Sequence, residues 1–117
     1  PHAGTPAIGT PNGANNVASV AFLSNSAKTD RAMRIRVTAG AGNIVAGTDI
    51  VSITFASEWK DALGTPVTPA IICSQGAYAS ASSSTGFTIQ LGTGIPTTQV
   101  QDFSIIVSGG GSGNSNS

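Results

Sequence analysis

Seven or so short strand-like runs, several of them alternating apolar and polar residues, are separated by turn signals rich in Gly, Pro, Asn and Ser, and together they commit this chain to antiparallel β structure. The clearest lies in residues 46–59, AGTDIVSITFASEW, where a Gly-Thr-Asp turn delivers a strand and then the only tryptophan. Val51, Ile53 and Phe55 fall on one face of that strand, and Ser52 and Thr54 on the other. Ile50 shares the Ser/Thr face, which predicts a cover over it from a neighbouring subunit or a second sheet. Residues 58–63, EWKDAL, read as a single helical turn ahead of Gly64 and Pro66. Trp59 and Leu63, four apart, would then close that turn onto the sheet end as a plug. Trp59 is expected to be a core lid in preference to a ligand-stacking ring, because so large an apolar ring is rarely left exposed.

The remaining strands are short runs of alternating or continuous apolar character between turn signals. They are expected over residues 17–23, 31–39, 70–74, 77–81, 87–91 and 101–107. In the second of these Met33, Ile35 and Val37 point inward, while Arg34, Arg36 and Thr38 point outward. No stretch sustains a helical period and no internal repeat stands out, so residues 17–109 are expected to form one all-β domain. The fold class is a single antiparallel β-sandwich of jelly-roll or Greek-key type. Residues 1–16, PHAGTPAIGTPNGANN, have little but Ile8 to bury and read as an extended Pro/Gly-rich arm outside the fold, flapping or lying along a neighbour. Residues 110–117 read as a flexible Gly/Ser/Asn tail.

Only 9% of the 117 residues are charged and the formal net charge is zero, so nothing in the electrostatics favours nucleic acid or an anionic membrane. No apolar run approaches the length that crosses a bilayer. Ser, Thr, Asn, Gly and Ala make up the surface instead, a composition suited to life inside an assembly or outside a cell. With 5% aromatic residues, each copy has a modest core and gains from burying further surface between copies. Cys73 stands alone, which leaves no intrachain disulfide and no cysteine metal site. Asp30, Asp49, Glu58, Asp61 and Asp102 fall in turns or at strand ends, and the single histidine, His2, lies in the arm without the partners of a nucleophilic triad. The expectation is therefore a protein that is not an enzyme, with no catalytic, cofactor or metal site. Arg31, Arg34 and Arg36 cluster in one strand, as either a solvated face guarded against edge aggregation or a stripe that meets acidic groups on a partner.

Residues 29–37 (TDRAMRIRV), 46–55 (AGTDIVSITF), 66–70 (PVTPA), 84–89 (STGFTI) and 103–109 (FSIIVSG), taken in order, resemble a small β-sandwich module of tailed bacteriophage virions, although Met33 stands where that pattern has glycine. The resemblance implies a structural or binding role without catalytic residues. It points first to a capsid decoration, or cement, protein on the outer shell of the virion, a homotrimer whose partner is the major capsid protein. In that reading Pro1, Pro6, Ile8 and Pro11 belong to an arm that orders on docking, and Arg34 and Arg36 to the docking stripe. A trimeric tail-fibre tip that binds a host receptor is the alternative, through loops such as residues 80–85 and 92–99. A secreted carbohydrate-binding module is a third, with Trp59 and Tyr78 as its candidate aromatics.

Overall fold

In the computed structural model, which describes residues 4–24, 26 and 28–109, eight strands form two four-stranded antiparallel sheets packed face to face as a β-sandwich. The strands are β1 (Ala7–Ile8), β2 (Val17–Phe22), β3 (Ala32–Ala39), β4 (Asp49–Thr54), β5 (Ala70–Cys73), β6 (Ala77–Ser82), β7 (Gly86–Leu91) and β8 (Val100–Ser108). A single 3-10 turn, Gly13–Asn15, precedes β2, and no α-helix occurs among the described residues. Sheet A has the order β1-β4-β7-β6, and sheet B the order β2-β3-β8-β5. β3 pairs with β8 in one sheet and β4 with β7 in the other, so the two crossovers nest in the wrapping of a jelly roll.

The alternation that predicts the strands also builds the core. Met33, Ile35 and Val37 of β3, Val51 and Ile53 of β4, Phe87, Ile89 and Leu91 of β7, and Phe103, Ile105 and Val107 of β8 are all buried between the sheets. At one end Phe55 lies 5.5 Å from Phe87 and meets Trp59 edge-on at 6.0 Å, an arrangement that aromatic quadrupoles favour. Trp59 has no exposed surface, so it is the expected lid.

Three expectations require correction. First, residues 4–16 are not an arm outside the fold. Ala7 and Ile8 pair with Thr54 and Ile53 as the edge strand of sheet A, Gly9 and Asn12 donate to the Ser52 and Ile50 carbonyls, Pro6 is buried, and Ile8 packs against the core. The physical reason is that β4, with its strong apolar face, would otherwise present an unpaired edge. Second, Ile50 needs no cover from another subunit. A bulge between Asp49 and Val51 breaks the alternation, and Ile50 is buried inside the chain. Third, residues 58–63 make no helical turn, and Leu63 is 91% exposed. Asp61 captures the backbone instead, its Oδ1 accepting from the Leu63 and Thr65 N–H groups at 2.8 and 3.0 Å. Pro1, His2 and the tail 110–117 lie outside the described residues.

Candidate functional site

The outer face of sheet B carries the expected arginine stripe, but only part of it is available to a partner. Arg36 and Asp102 face each other across β3 and β8 in a two-pronged pair, Nε to Oδ1 at 2.8 Å and Nη2 to Oδ2 at 3.1 Å. That pairing holds the Asp102 carboxyl below the usual carboxylate range and raises the Arg36 guanidinium above its own. Arg31 leaves the stripe altogether and lies 5.6 Å over the Trp59 ring, a cation–π contact at the sandwich end. Arg34 stays on the outer face, opposite Ser104.

Next to Arg34 runs an apolar row that the sequence reading missed. Ala32, Ile106 and Ile72 are register neighbours across β3, β8 and β5, with Ile72 61% and Ile106 49% exposed. Alternation in residues 101–107 does mark Ile106 as outward, but a lone outward isoleucine is unremarkable. Its partner Ile72 could be placed only by knowing that β5 pairs with β8.

Sheet A is faced differently. Tyr78 Oη donates to Gln90 Oε1 at 2.9 Å, and Gln90 Nε2 donates to Asp49 Oδ1 at 2.8 Å, a chain that crosses three strands. Ser52 and Thr88 share a hydroxyl hydrogen bond of 2.8 Å beside it. Shallow grooves of about 260 and 330 Å³ meet at that hydroxyl pair. Of the two aromatics considered for sugar stacking, Tyr78 is exposed here, whereas Trp59 is enclosed.

The ends of the sandwich are the third surface. The connections 40–48 and 92–99 lie together at the end where β4 begins, clipped by two hydrogen bonds between Ile44 and Ile95 at 2.9 and 3.1 Å. Asn43 Oδ1 accepts from both the N–H and the hydroxyl of Thr97 at 2.9 Å. Gly94 is required in this clip, because a Cβ there would collide with the Ile44 carbonyl oxygen. Between the two connections lies a shallow depression of about 390 Å³ lined by residues 43–46 and 94–96, with Val45 57% exposed at its rim. Leu63 projects at the opposite end, where β4 stops.

The carboxylates are occupied in structural contacts. Asp30, fully buried, accepts from the Ala56 and Ser57 N–H groups at 2.8 and 2.9 Å, and Glu58 accepts from the Ser84 hydroxyl at 2.7 Å. Among the described residues no group of three or more His, Cys, Asp or Glu side chains could hold a metal ion. Of the arm residues assigned to a partner, Pro6 is buried, Ile8 sits in the sheet edge and Pro11 lines the groove beside Asp49 and Ser52. Comparison with protein-family models, curated proteins and solved structures gives no match.

Proposed function

We propose that this chain is a structural protein of a bacteriophage virion, a capsid decoration protein that binds the outer shell as a trimer. The sequence resemblance supplies the virion setting, and the observation that carries docking is the outer face of sheet B. There Ile72 and Ile106 stand side by side and exposed, with Arg34 alongside. An apolar row beside a cation suits the surface of a shell subunit that offers apolar groups near an acid. Because residues 4–16 lie along β4 of their own chain, that segment completes the module, and the sheet face takes over the docking role first assigned to the arm. Such a role calls on no catalytic group. Replacing Ile106 with Asp, with Arg34→Glu as a second variant, tests the reading. Both should fold normally and lose binding to shells of the virus that encodes the chain, and unchanged binding by both would refute this docking face.

A second reading draws on sheet A. Its outer face sets Tyr78, Gln90, Asp49, Ser52 and Thr88 in a prearranged hydrogen-bonding pattern, which suits a neutral glycan at a fibre tip or in a secreted binding module. Glycan-array binding that disappears in Tyr78→Ala would favour this second role.

A further inference from the structure

We infer that Asn12–Gly13 is a self-modification site, at which Asn12 converts to aspartate or isoaspartate once the N-terminal segment lifts from β4, so that the segment loses its hold on the sheet. The sequence singles out this pair. Asn12 is followed by glycine, whereas every other asparagine of the chain is followed by Asn, Val, Ser or Ile. A backbone nitrogen reaches the preceding carboxamide most freely where its own residue has no Cβ to obstruct the approach. In the reaction the Gly13 nitrogen, its proton lost to solvent, bonds to Asn12 Cγ, and Nδ2 departs as ammonia. Water then opens the cyclic imide. Cleavage of the Cγ–N bond leaves aspartate, and cleavage of the backbone C–N bond leaves isoaspartate, whose chain runs through Cγ and is an atom longer. A water enters and an ammonia leaves, so the step needs neither an oxidant nor a reductant.

The fold holds this reaction off. Ring closure requires the Gly13 nitrogen to eclipse Asn12 Cβ, but ψ of 91° at Asn12 puts that nitrogen on the far side of the Cα–C bond. The angle is locked through the Asn12 carbonyl, which accepts from the Asn15 and Val17 N–H groups at 3.0 and 3.2 Å. Both ends of the carboxamide are engaged as well, Oδ1 accepting from the Ala14 N–H at 3.2 Å and Nδ2 donating to the Asp49 carbonyl at 2.8 Å. Swinging the nitrogen round to Cβ therefore turns the carbonyl from its two donors and pulls the side chain off β4. Lifting of the segment supplies that freedom. β1 is only two residues long, and short peripheral elements open locally at far lower cost than the whole fold.

The products do not fit the site that Asn12 leaves. Aspartate sets a carboxylate oxygen where Nδ2 met the Asp49 carbonyl, so a hydrogen bond is replaced by two facing acceptors. Isoaspartate shifts everything after it by an atom relative to what precedes it. Gly9 and Asn12 then cannot keep their bonds to the Ser52 and Ile50 carbonyls while Asn15 keeps its grip on Val45. Each opening is reversible until the chemistry intervenes, after which the latch does not close. This inference does not depend on the virion reading.

Incubation of the full chain in mildly alkaline buffer, followed by peptide mapping that separates asparagine, aspartate and isoaspartate, tests it. Conversion at Asn12 should exceed that at every other asparagine, and should run at least about tenfold faster in urea-unfolded than in folded protein. Gly13→Ala is the control. A Cβ at this position meets nothing within 4 Å, so the variant should melt close to the wild type. Its Asn12 conversion in urea should fall at least about tenfold, because the added methyl hinders the attacking nitrogen. Isoaspartate-bearing protein, separated from the unmodified chain by its added charge, should melt at a lower temperature and exchange its amide hydrogens faster across residues 7–17. Equal rates in folded and unfolded protein, conversion as fast in Gly13→Ala as in the wild type, or modified protein that keeps wild-type melting and exchange would each overturn the proposal.

Discussion

The side-chain amide of Asn15 grips the backbone of Val45 from both sides, Oδ1 accepting from its N–H at 2.9 Å and Nδ2 donating to its carbonyl at 3.2 Å. Asn15 is itself buried, so it acts as a piece of strand supplied by a side chain. Replacing it with alanine leaves two backbone groups unmet and should destabilise the fold by about 2–4 kcal/mol. Urea unfolding checks this, and a loss below about 0.5 kcal/mol would show that the grip is dispensable.

Truncation probes the N-terminal segment. Removal of residues 1–16 takes away β1, the Gly9 and Asn12 bonds to β4 and the grip of Asn15. The truncated chain should unfold at a clearly lower denaturant concentration and aggregate through the newly bare edge of β4. A truncated sandwich as stable as the full chain would instead restore the segment to the status of a free arm.

Trp59 and Leu63 separate core from tip. Trp59→Ala opens a cavity under the lid and should cost about 3–5 kcal/mol, whereas Leu63→Ser should change stability by no more than about 0.5 kcal/mol. Comparable losses at both positions would mean that Leu63 does plug the sheet end.

These contrasts also show how far the sequence could be read. All seven longer strands were legible between Val17 and Val107, and where alternation is clean, in β3, β4, β7 and β8, so were inward residues such as Ile35, Ile53, Ile89 and Ile105. What escaped depends on geometry that no period records. β1 is two residues long amid Pro and Gly, and only the bare edge of β4 calls it into place. Ile50 changes face because of a bulge, and Asp61 overrides a helical spacing with its own turn. Of the candidate docking face, Arg34 was legible, but the juxtaposition of Ile72 and Ile106 requires the pairing of β5 with β8, strands separated by two others in the chain.

Asp102 should titrate below an ordinary aspartate, chiefly because Arg36 hydrogen-bonds its charged form, with help from the charges of Arg36 and Arg34. A carboxyl whose folded pKa lies below its unfolded value contributes stability above the unfolded pKa, and that contribution fades as pH falls through the folded one. The pair is largely exposed, so its share of stability is small and salt screens it. Carboxyl-carbon NMR should find the Asp102 value rising in Arg36→Gln and in molar salt; a value already at the ordinary level in the wild type would contradict the pairing.

Cys73, half-buried against the core, has its thiol pushed up to about 11 by burial. Thiolate is then scarce near neutrality, and alkylation at pH 8 should run about a hundredfold slower than for an open peptide thiol. Comparison of iodoacetamide rates on folded and urea-unfolded protein decides it, and equal rates would place Cys73 on an accessible surface.

The most direct test of the proposed virion role is cryo-electron microscopy of phage particles produced from a genome that carries this chain. The proposal predicts sandwich-shaped density on the outer shell with the Arg34, Ile72 and Ile106 face of sheet B turned toward the capsid subunits. Density only at a tail-fibre tip, with sheet A outward, or no such density on the particle at all, would contradict it.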